Sequence, residues 1–562
     1  MGARIAVAVA AWLVGLATAQ GEGPIVLRDV TARTGIGFRH TDGSSGRRYI
    51  VEYVASGLAT FDYDGDGLID VYFLNGRPLP GTTADVPPRN HLYRNLGGFR
   101  FKDVTEEAGV GDEGFGLGVC IGDYDSDGHP DIYVNNFGPN VLYRNNGDGT
   151  FRDVTSRAGV GRGERVGAGA SFLDVDHDGH LDLFVANYIK FSYDMHAPLT
   201  VAGLPAYRGP QQYPPDANNL FRNNGDGTFT DVSQASGITA HPGSGMGIVS
   251  ADYDNDGSTD VFVLNDNARN FLFHNDGAGK FSEVGLASGA AYNLYGQETG
   301  NMGVDAGDYD HDGLLDFFVT TYHKELPVLF HNLGGGLFED AALSAGSGQG
   351  TLRNVKWGCG FVDFDNDGYK DIFLGLGNLD DNIQLRDDTI TYEDRPVLLR
   401  NLGNGRFANV SDSSGDGMQV KSVARGVAFD DLDNDGRIDV VILSSRRPPV
   451  ILHNQSATGN HWLQIRLRGV KTNRDGVGAR VKVVAGDLTQ IDEVLSGRGY
   501  QSHFGSRLHL GLGKRDRVDR IEVRWIGGGT DVLENLPVDR LIAITEGTGH
   551  PTEERADEHV AL

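Results

Sequence analysis

The 562-residue sequence is short of cysteine, of basic charge and of long apolar runs, and each shortage excludes a class of protein. Two cysteines, Cys120 and Cys359, cannot frame a disulfide-stapled fold and are expected as small buried side chains. Lys and Arg number 49 against 77 Asp and Glu, a formal charge of -28, so the basic face that nucleic-acid phosphates require is missing. One apolar run stands out, Ile5 to Leu16, with Arg4 before it and Ala17-Thr18-Ala19 after it. It is shorter than the ~20 residues of a membrane span. Its flanks instead mark a secretory signal over residues 1–19, cleaved after Ala19, which predicts a secreted, extracellular or periplasmic chain with no stable membrane span.

Glycine is abundant. Its 81 copies, about 14% of the chain against a usual share of about 7%, follow no Gly-X-Y period and therefore signal many tight turns. A search for self-similarity explains them. Seven copies of one nonapeptide occur: DYDGDGLID from Asp62, DYDSDGHPD from Asp123, DVDHDGHLD from Asp174, DYDNDGSTD from Asp252, DYDHDGLLD from Asp308, DFDNDGYKD from Asp363 and DLDNDGRID from Asp431, starting 51 to 78 residues apart. A Gly-containing apolar run precedes each copy and a β-type run follows it. In the second unit, Val141 to Asn145, a turn at Asn146 to Thr150 and Phe151 to Thr155 then read as a hairpin. Four short antiparallel strands per unit and seven units predict an all-β fold, a seven-bladed β-propeller over residues 25–454. After Asn454 no fourth strand follows, whereas Val26 to Thr31 matches the fourth-strand sequences Phe101 to Thr105 and Phe151 to Thr155. The N-terminal strand is therefore expected to complete the seventh blade and close the ring.

Positions 1, 3, 5 and 9 of every nonapeptide are aspartate: Asp62, Asp64, Asp66 and Asp70; Asp123, Asp125, Asp127 and Asp131; Asp174, Asp176, Asp178 and Asp182; Asp252, Asp254, Asp256 and Asp260; Asp308, Asp310, Asp312 and Asp316; Asp363, Asp365, Asp367 and Asp371; Asp431, Asp433, Asp435 and Asp439. Asp and Gly are also ordinary turn residues. Four convergent carboxylates, however, make six like-charged pairs, each costing up to ~4 kcal/mol at ~4 Å and an effective dielectric near 20. A hard divalent cation resolves the repulsion. Alternating Asp-x-Asp-x-Asp-Gly wraps such an ion, with a backbone carbonyl from position 7: Leu68, His129, His180, Ser258, Leu314, Tyr369 and Arg437. Oxygen-only ligation favours calcium, about seven ions in all. Setting aside these 28 carboxylates leaves 49 acidic side chains, equal to Lys plus Arg, so the chain outside the loops is formally neutral.

On these residues the units resemble the FG-GAP, or VCBS, calcium-binding repeats of integrin-alpha propellers, and the resemblance implies that each ion clamps the hairpin between the first and second strands. From Gln455 to Gly547 the Asp-Gly pattern ends, 14 basic residues stand against 11 acidic ones, and alternating runs predict a small antiparallel β domain. Asn473 to Arg480, Gly497 to Ser502, Leu508 to Gly513 and Val518 to Trp525 resemble the ASPIC/UnbV domain. With the repeats, the arrangement is similar to that of cartilage acidic proteins, which implies a secreted calcium-binding protein and supplies no catalytic residues. Residues 548–562 read as a disordered tail.

Long insertions, Gly76 to Arg89, Tyr188 to Ala217, Ser288 to Met302 and Gly377 to Arg395, fall on the face opposite the calcium loops. Tyr188, Tyr193, His196, Tyr207, Arg208 and Tyr213 cluster in the longest, with Tyr292, Tyr295 and Trp357 as further members. Such groups either stack on an extracellular protein or glycan partner or pack on themselves as a lid. A binding protein is the leading expectation. The alternative is a calcium-dependent polysaccharide lyase, with His196, Tyr207, Arg208, His241, His323 and Lys324 as the groups it would draw on.

Overall fold

The computed structural model describes residues 25–161 and 163–554; the expected signal segment, residues 1–19, and residues 555–562 lie outside the described residues. Seven four-stranded antiparallel sheets account for the repeats. In the second sheet the strands are Phe115–Gly122, Asp131–Phe137, Val141–Asn145 and Phe151–Asp153, paired in chain order. The first strands are buried along their whole length. Those of successive sheets lie against one another, and that of the seventh, Ala424–Asp430, lies against that of the first, Leu58–Phe61. Each nonapeptide joins a first strand to a second, so all seven occupy one face.

The seventh sheet takes its fourth strand from the other end of the chain. Leu27–Asp29 pairs antiparallel with Val450–Asn454, Leu27 opposite Asn454 and Asp29 opposite Leu452, the register that Phe151 and Asp153 keep with Asn145 and Tyr143. Among the described residues, helix is limited to short turns such as Thr105–Ala108 and Thr155–Ala158, which end on Gly109 and Gly159 at φ of +75° and +80°. Cys120 and Cys359 are buried and unpaired, as expected.

The C-terminal part differs from its expected purely antiparallel form. It consists of two four-stranded sheets, and in one of them His461–Arg468 runs parallel to Arg540–Thr545. Parallel pairing needs a long crossover; the second sheet, with Arg480–Ala485 and Arg517–Arg524 at its centre, lies in the intervening chain. Leu463, Ile465, Val481, Val483, Ile521 and Val523 share one buried core between them. The tail is also corrected: Pro551–Glu553 forms a strand on Ile542–Ile544, covering an apolar edge that would otherwise be open.

Candidate metal centres and the face they form

The second loop illustrates how the nonapeptide folds. Asp123 Oδ2 accepts from the Gly128 N–H at 2.7 Å, Asp127 Oδ1 from His129 N–H at 3.0 Å, and Asp131 Oδ2 from Tyr124 N–H at 3.1 Å. The position 1 to position 6 bond recurs in all seven loops. Position 4 is left-handed throughout, at Gly65, Ser126, His177, Asn255, His311, Asn366 and Asn434, which suits the Gly, Asn and His found at six of the seven. These bonds engage only part of each carboxylate. Asp62 Oδ1, Asp125 Oδ1, Asp176 Oδ1, Asp252 Oδ1, Asp308 Oδ1 and Asp433 Oδ1 are buried without a hydrogen-bond partner among the described residues. Carboxylate oxygens of Asp62, Asp64 and Asp66, and likewise of Asp123, Asp125 and Asp127, come within 4.8 Å of one another.

Electrostatically the loops are under pressure. Burial, reinforced by neighbouring carboxylates, pushes Asp123, Asp308 and Asp431 up to about 7 and Asp64 and Asp174 up to about 6. Asp70, Asp131, Asp182, Asp371 and Asp439, at position 9, rise well above the carboxylate range by burial. A basic residue on the third strand meets each of several loops: Arg94 Nε lies 2.8 Å from Asp64, Arg400 Nη2 2.9 Å from Asp367, and His331 Nδ1 3.1 Å from Asp316. Hydrogen bonds donated to the carboxylates of Asp260 and Asp316 hold the His274 and His331 imidazoles up to about 9. A divalent cation fits this donor set, because orphaned, desolvated carboxylate oxygens are what it satisfies.

Sequence reasoning missed the asparagine that ends every third strand. Its backbone N–H donates to the position 9 aspartate, as Asn145 does to Asp131 at 2.7 Å. Its side chain donates to the neighbouring sheet's loop: Asn145 to Tyr63 O, Asn223 to Tyr124 O, Asn275 to Val175 O, Asn332 to Tyr253 O, Asn401 to Tyr309 O and Asn454 to Phe364 O, all at 2.8–2.9 Å. The signal was present in the sequence as an Asn at one fixed place in each unit.

The family profile described as FG-GAP-like repeat matches residues 62–134, 123–185, 211–263, 252–319 and 308–374, and that described as ASPIC and UnbV matches 469–551. The chain belongs to the FG-GAP-like repeat family. Among curated proteins it is similar to cartilage acidic protein 1 of Homo sapiens, 27% identical over 64% of this chain and 51% of that protein. The Mus musculus protein of the same name is 27% identical over 84% of this chain and 62% of that one. The FG-GAP chain thus spans about half to three fifths of the length of these relatives. Similar solved structures include a Bacillus licheniformis rhamnogalacturonan lyase (15% identity, TM-score 0.37, 76% of this chain and 75% of that one). An Agrocybe aegerita lectin that recognises non-reducing terminal N-acetylglucosamine is 18% identical, with a TM-score of 0.34 over 64% of this chain and 80% of that one.

In this FG-GAP protein the C-terminal part that contains the ASPIC and UnbV segment, from His461 onward, sits on the nonapeptide face. Asp475 accepts from Asp123 N–H at 2.6 Å, Arg480 donates to Asp252 O at 2.6 Å, Gln464 to Asp431 Oδ2 at 2.9 Å and Arg507 to Gly67 O at 2.9 Å. The slight basic excess of this segment therefore meets acidic loops. Residues 496–505 reach further, among the first strands of five sheets. Ser496 donates to Ile121 O, His503 N–H to Leu58 O, Gly499 N–H to Val304 O and Gly505 N–H to Asp430, while Ser171 donates to Ser496 O. Arg498 Nε is 2.6 Å from Asp305, both buried. Tyr500 donates to Val54 O at 2.8 Å and packs edge-on against Trp357. The fit leaves no room for a side chain at Gly497, where φ is +80° and a Cβ would lie 1.9 Å from Ala170 O.

On the opposite face the expected aromatic surface is mostly a packed layer, which corrects the reading of several candidates. Tyr188 is fully buried, its hydroxyl 2.7 Å from Asp266 and 3.1 Å from that of Tyr53; Tyr213 is buried; and Trp357 donates to Gly377 O. Tyr207 donates to Glu52 at 2.9 Å, and Arg208 to Ala197 O. The cause is chemical: Glu52 and Asp266 satisfy phenol groups, so the rings can be buried. Tyr193 and His196 pack edge-on against Tyr49, and Tyr193 stays partly exposed. His241 packs on Phe271 and Phe273, and His323 on Tyr322, so these groups each sit with different neighbours.

Proposed function

We propose that this FG-GAP chain is a secreted, calcium-bound seven-bladed β-propeller, residues 25–454, capped by an ASPIC/UnbV-like domain from 455 onward, and that it binds an extracellular protein or glycan rather than catalysing a reaction. The orphaned buried carboxylate oxygens, recurring in one loop after another, carry the calcium reading. The ligands would be positions 1, 3 and 5 with the position 7 carbonyl, and position 9 through lone pairs left by its backbone bonds. Ring closure is supported by the N-terminal strand in the last sheet and by successive contact of the first strands.

The partner face follows from what covers the other one. With the ASPIC and UnbV segment on the nonapeptide loops, the opposite face remains for a ligand. A cleft of about 500 Å³ opens there between the long insertion and the next sheet, lined by Ile189, Pro210, Gln211, Tyr213, His241 and Arg269. The Tyr213 hydroxyl, which lines it, has no hydrogen-bond partner among the described residues. Glycan and protein arrays probed with the calcium-loaded chain test the proposal. Binding lost in Gln211→Ala/His241→Ala with an unchanged melting temperature is expected; binding that survives both substitutions overturns the cleft assignment.

A further inference from the structure

The residue preceding each third-strand asparagine divides the seven loops into two chemical classes. It is Arg94, Arg144, Arg222 and Arg400 in four sheets, and His274, His331 and His453 in the fourth, fifth and seventh. An arginine brings a fixed positive charge with no lone pair to offer a metal. Arg144 Nη2, for example, sits 2.6 Å from Asp127.

An imidazole in the same place is a donor of a different kind. His274 Nδ1 lies 3.5 Å from Asp254 Oδ2 and 3.3 Å from Asp260 Oδ1. His331 Nδ1 lies 3.6 Å from Asp310 and 3.1 Å from Asp316, and His453 Nε2 lies 3.4 Å from Asp433 and 3.7 Å from Asp435. The trios Asp254, Asp260 and His274, Asp310, Asp312 and His331, and Asp433, Asp435 and His453 each bring one nitrogen and two oxygens within 4.8 Å of one another. Unsatisfied groups point to a ligand independently. Asp260, 1% exposed, leaves Oδ2 without a partner, Asp308, 2% exposed, leaves Oδ1, and Asp433 leaves Oδ1. Calcium takes oxygen donors, whereas imidazole with carboxylate suits first-row transition ions.

We propose that the loops of the fourth, fifth and seventh sheets are mixed imidazole and carboxylate sites that take a first-row divalent cation in preference to calcium, while the four arginine-bearing loops keep calcium. The inference rests on the calcium reading for those four loops. It gives the seven loops two metal specificities within one repeat sequence.

Cobalt(II) is the probe. The full chain is equilibrated with millimolar calcium and micromolar cobalt, freed of unbound metal and analysed for both elements, and its cobalt X-ray absorption is recorded. About three cobalt and about four calcium ions per chain are expected, with an imidazole shell in the absorption spectrum. In H274R/H331R/H453R, which copies the other four loops, cobalt should vanish, and each single substitution should remove about one equivalent. Seven calcium ions with no cobalt, cobalt without an imidazole shell, or cobalt unchanged in the variants overturns the assignment. A wild-type chain that binds neither ion overturns the calcium reading beneath it.

Discussion

Asn95 Nδ2 donates to the carbonyl of Leu432 at 2.7 Å, joining the first sheet to the seventh across 337 positions of chain. It repeats the bond that Asn145 makes to Tyr63 between neighbouring sheets. The same side chain also donates to Ile69 O at 2.9 Å, as Asn145 does to Pro130 O. Alanine at either site orphans two buried carbonyls and should cost about 2 to 4 kcal/mol. Denaturant unfolding of Asn95→Ala and Asn145→Ala should give similar losses. A much smaller loss at Asn95 would mean that the first and seventh sheets do not behave as neighbours.

The pH dependence of stability should reverse with calcium. Asp123, Asp308 and Asp431 titrate near 7 in the folded chain against an ordinary value of 3.8, so the folded state holds protons more tightly than the unfolded one. Their contribution is complete below about 4 and is lost as pH rises through about 7. The calcium-free protein should therefore melt at a lower temperature at pH 7.5 than at pH 5. With calcium, which needs the ionised carboxylates, the order should invert. Differential scanning calorimetry with and without chelator reads both signs.

Removing the Arg498 guanidinium strands Asp305, which is fully buried. Arg498→Ala should destabilise by about 3 to 5 kcal/mol, the usual cost of leaving one member of a buried pair. It should also expose the segment around residues 455–460 to protease, since residues 496–505 hold the C-terminal domain among the sheets. Resistance equal to that of the unmodified chain would contradict that anchoring role.

Tyr207 and Tyr193 separate packing from exposure within one insertion. Tyr207→Ala removes a ring that hydrogen-bonds Glu52 and should cost about 3 kcal/mol. Tyr193→Ala, at a side chain 37% exposed, should cost less than about 1 kcal/mol. Thermal unfolding of the two variants checks the contrast.

Much of this architecture was legible because it recurs. Seven nonapeptides fix seven first-to-second strand connections, and the match of Val26 to Thr31 with Phe151 to Thr155 anticipated the strand exchange that Leu27 and Asn454 display. What escaped notice depends on contacts between distant residues that leave no period. Arg480 against Asp252, or Tyr188 against Asp266, leaves no trace in spacing, and a tyrosine-rich insertion reads as surface until Glu52 and Asp266 are seen to satisfy its hydroxyls. The parallel pairing of Leu463 with Arg540 was hidden for the same reason.

The exchange of the N-terminal strand also sets a schedule for biosynthesis. Thr31 and Ile451, which hydrogen-bond beside it, stand 420 positions apart. At ~5–20 residues per second, the Leu27–Asp29 strand waits about 20 to 80 s after its synthesis for its partner to emerge. During that interval it has no sheet to join, so whatever accompanies the nascent chain must shield Leu27 and its neighbours until translation has passed the last repeat.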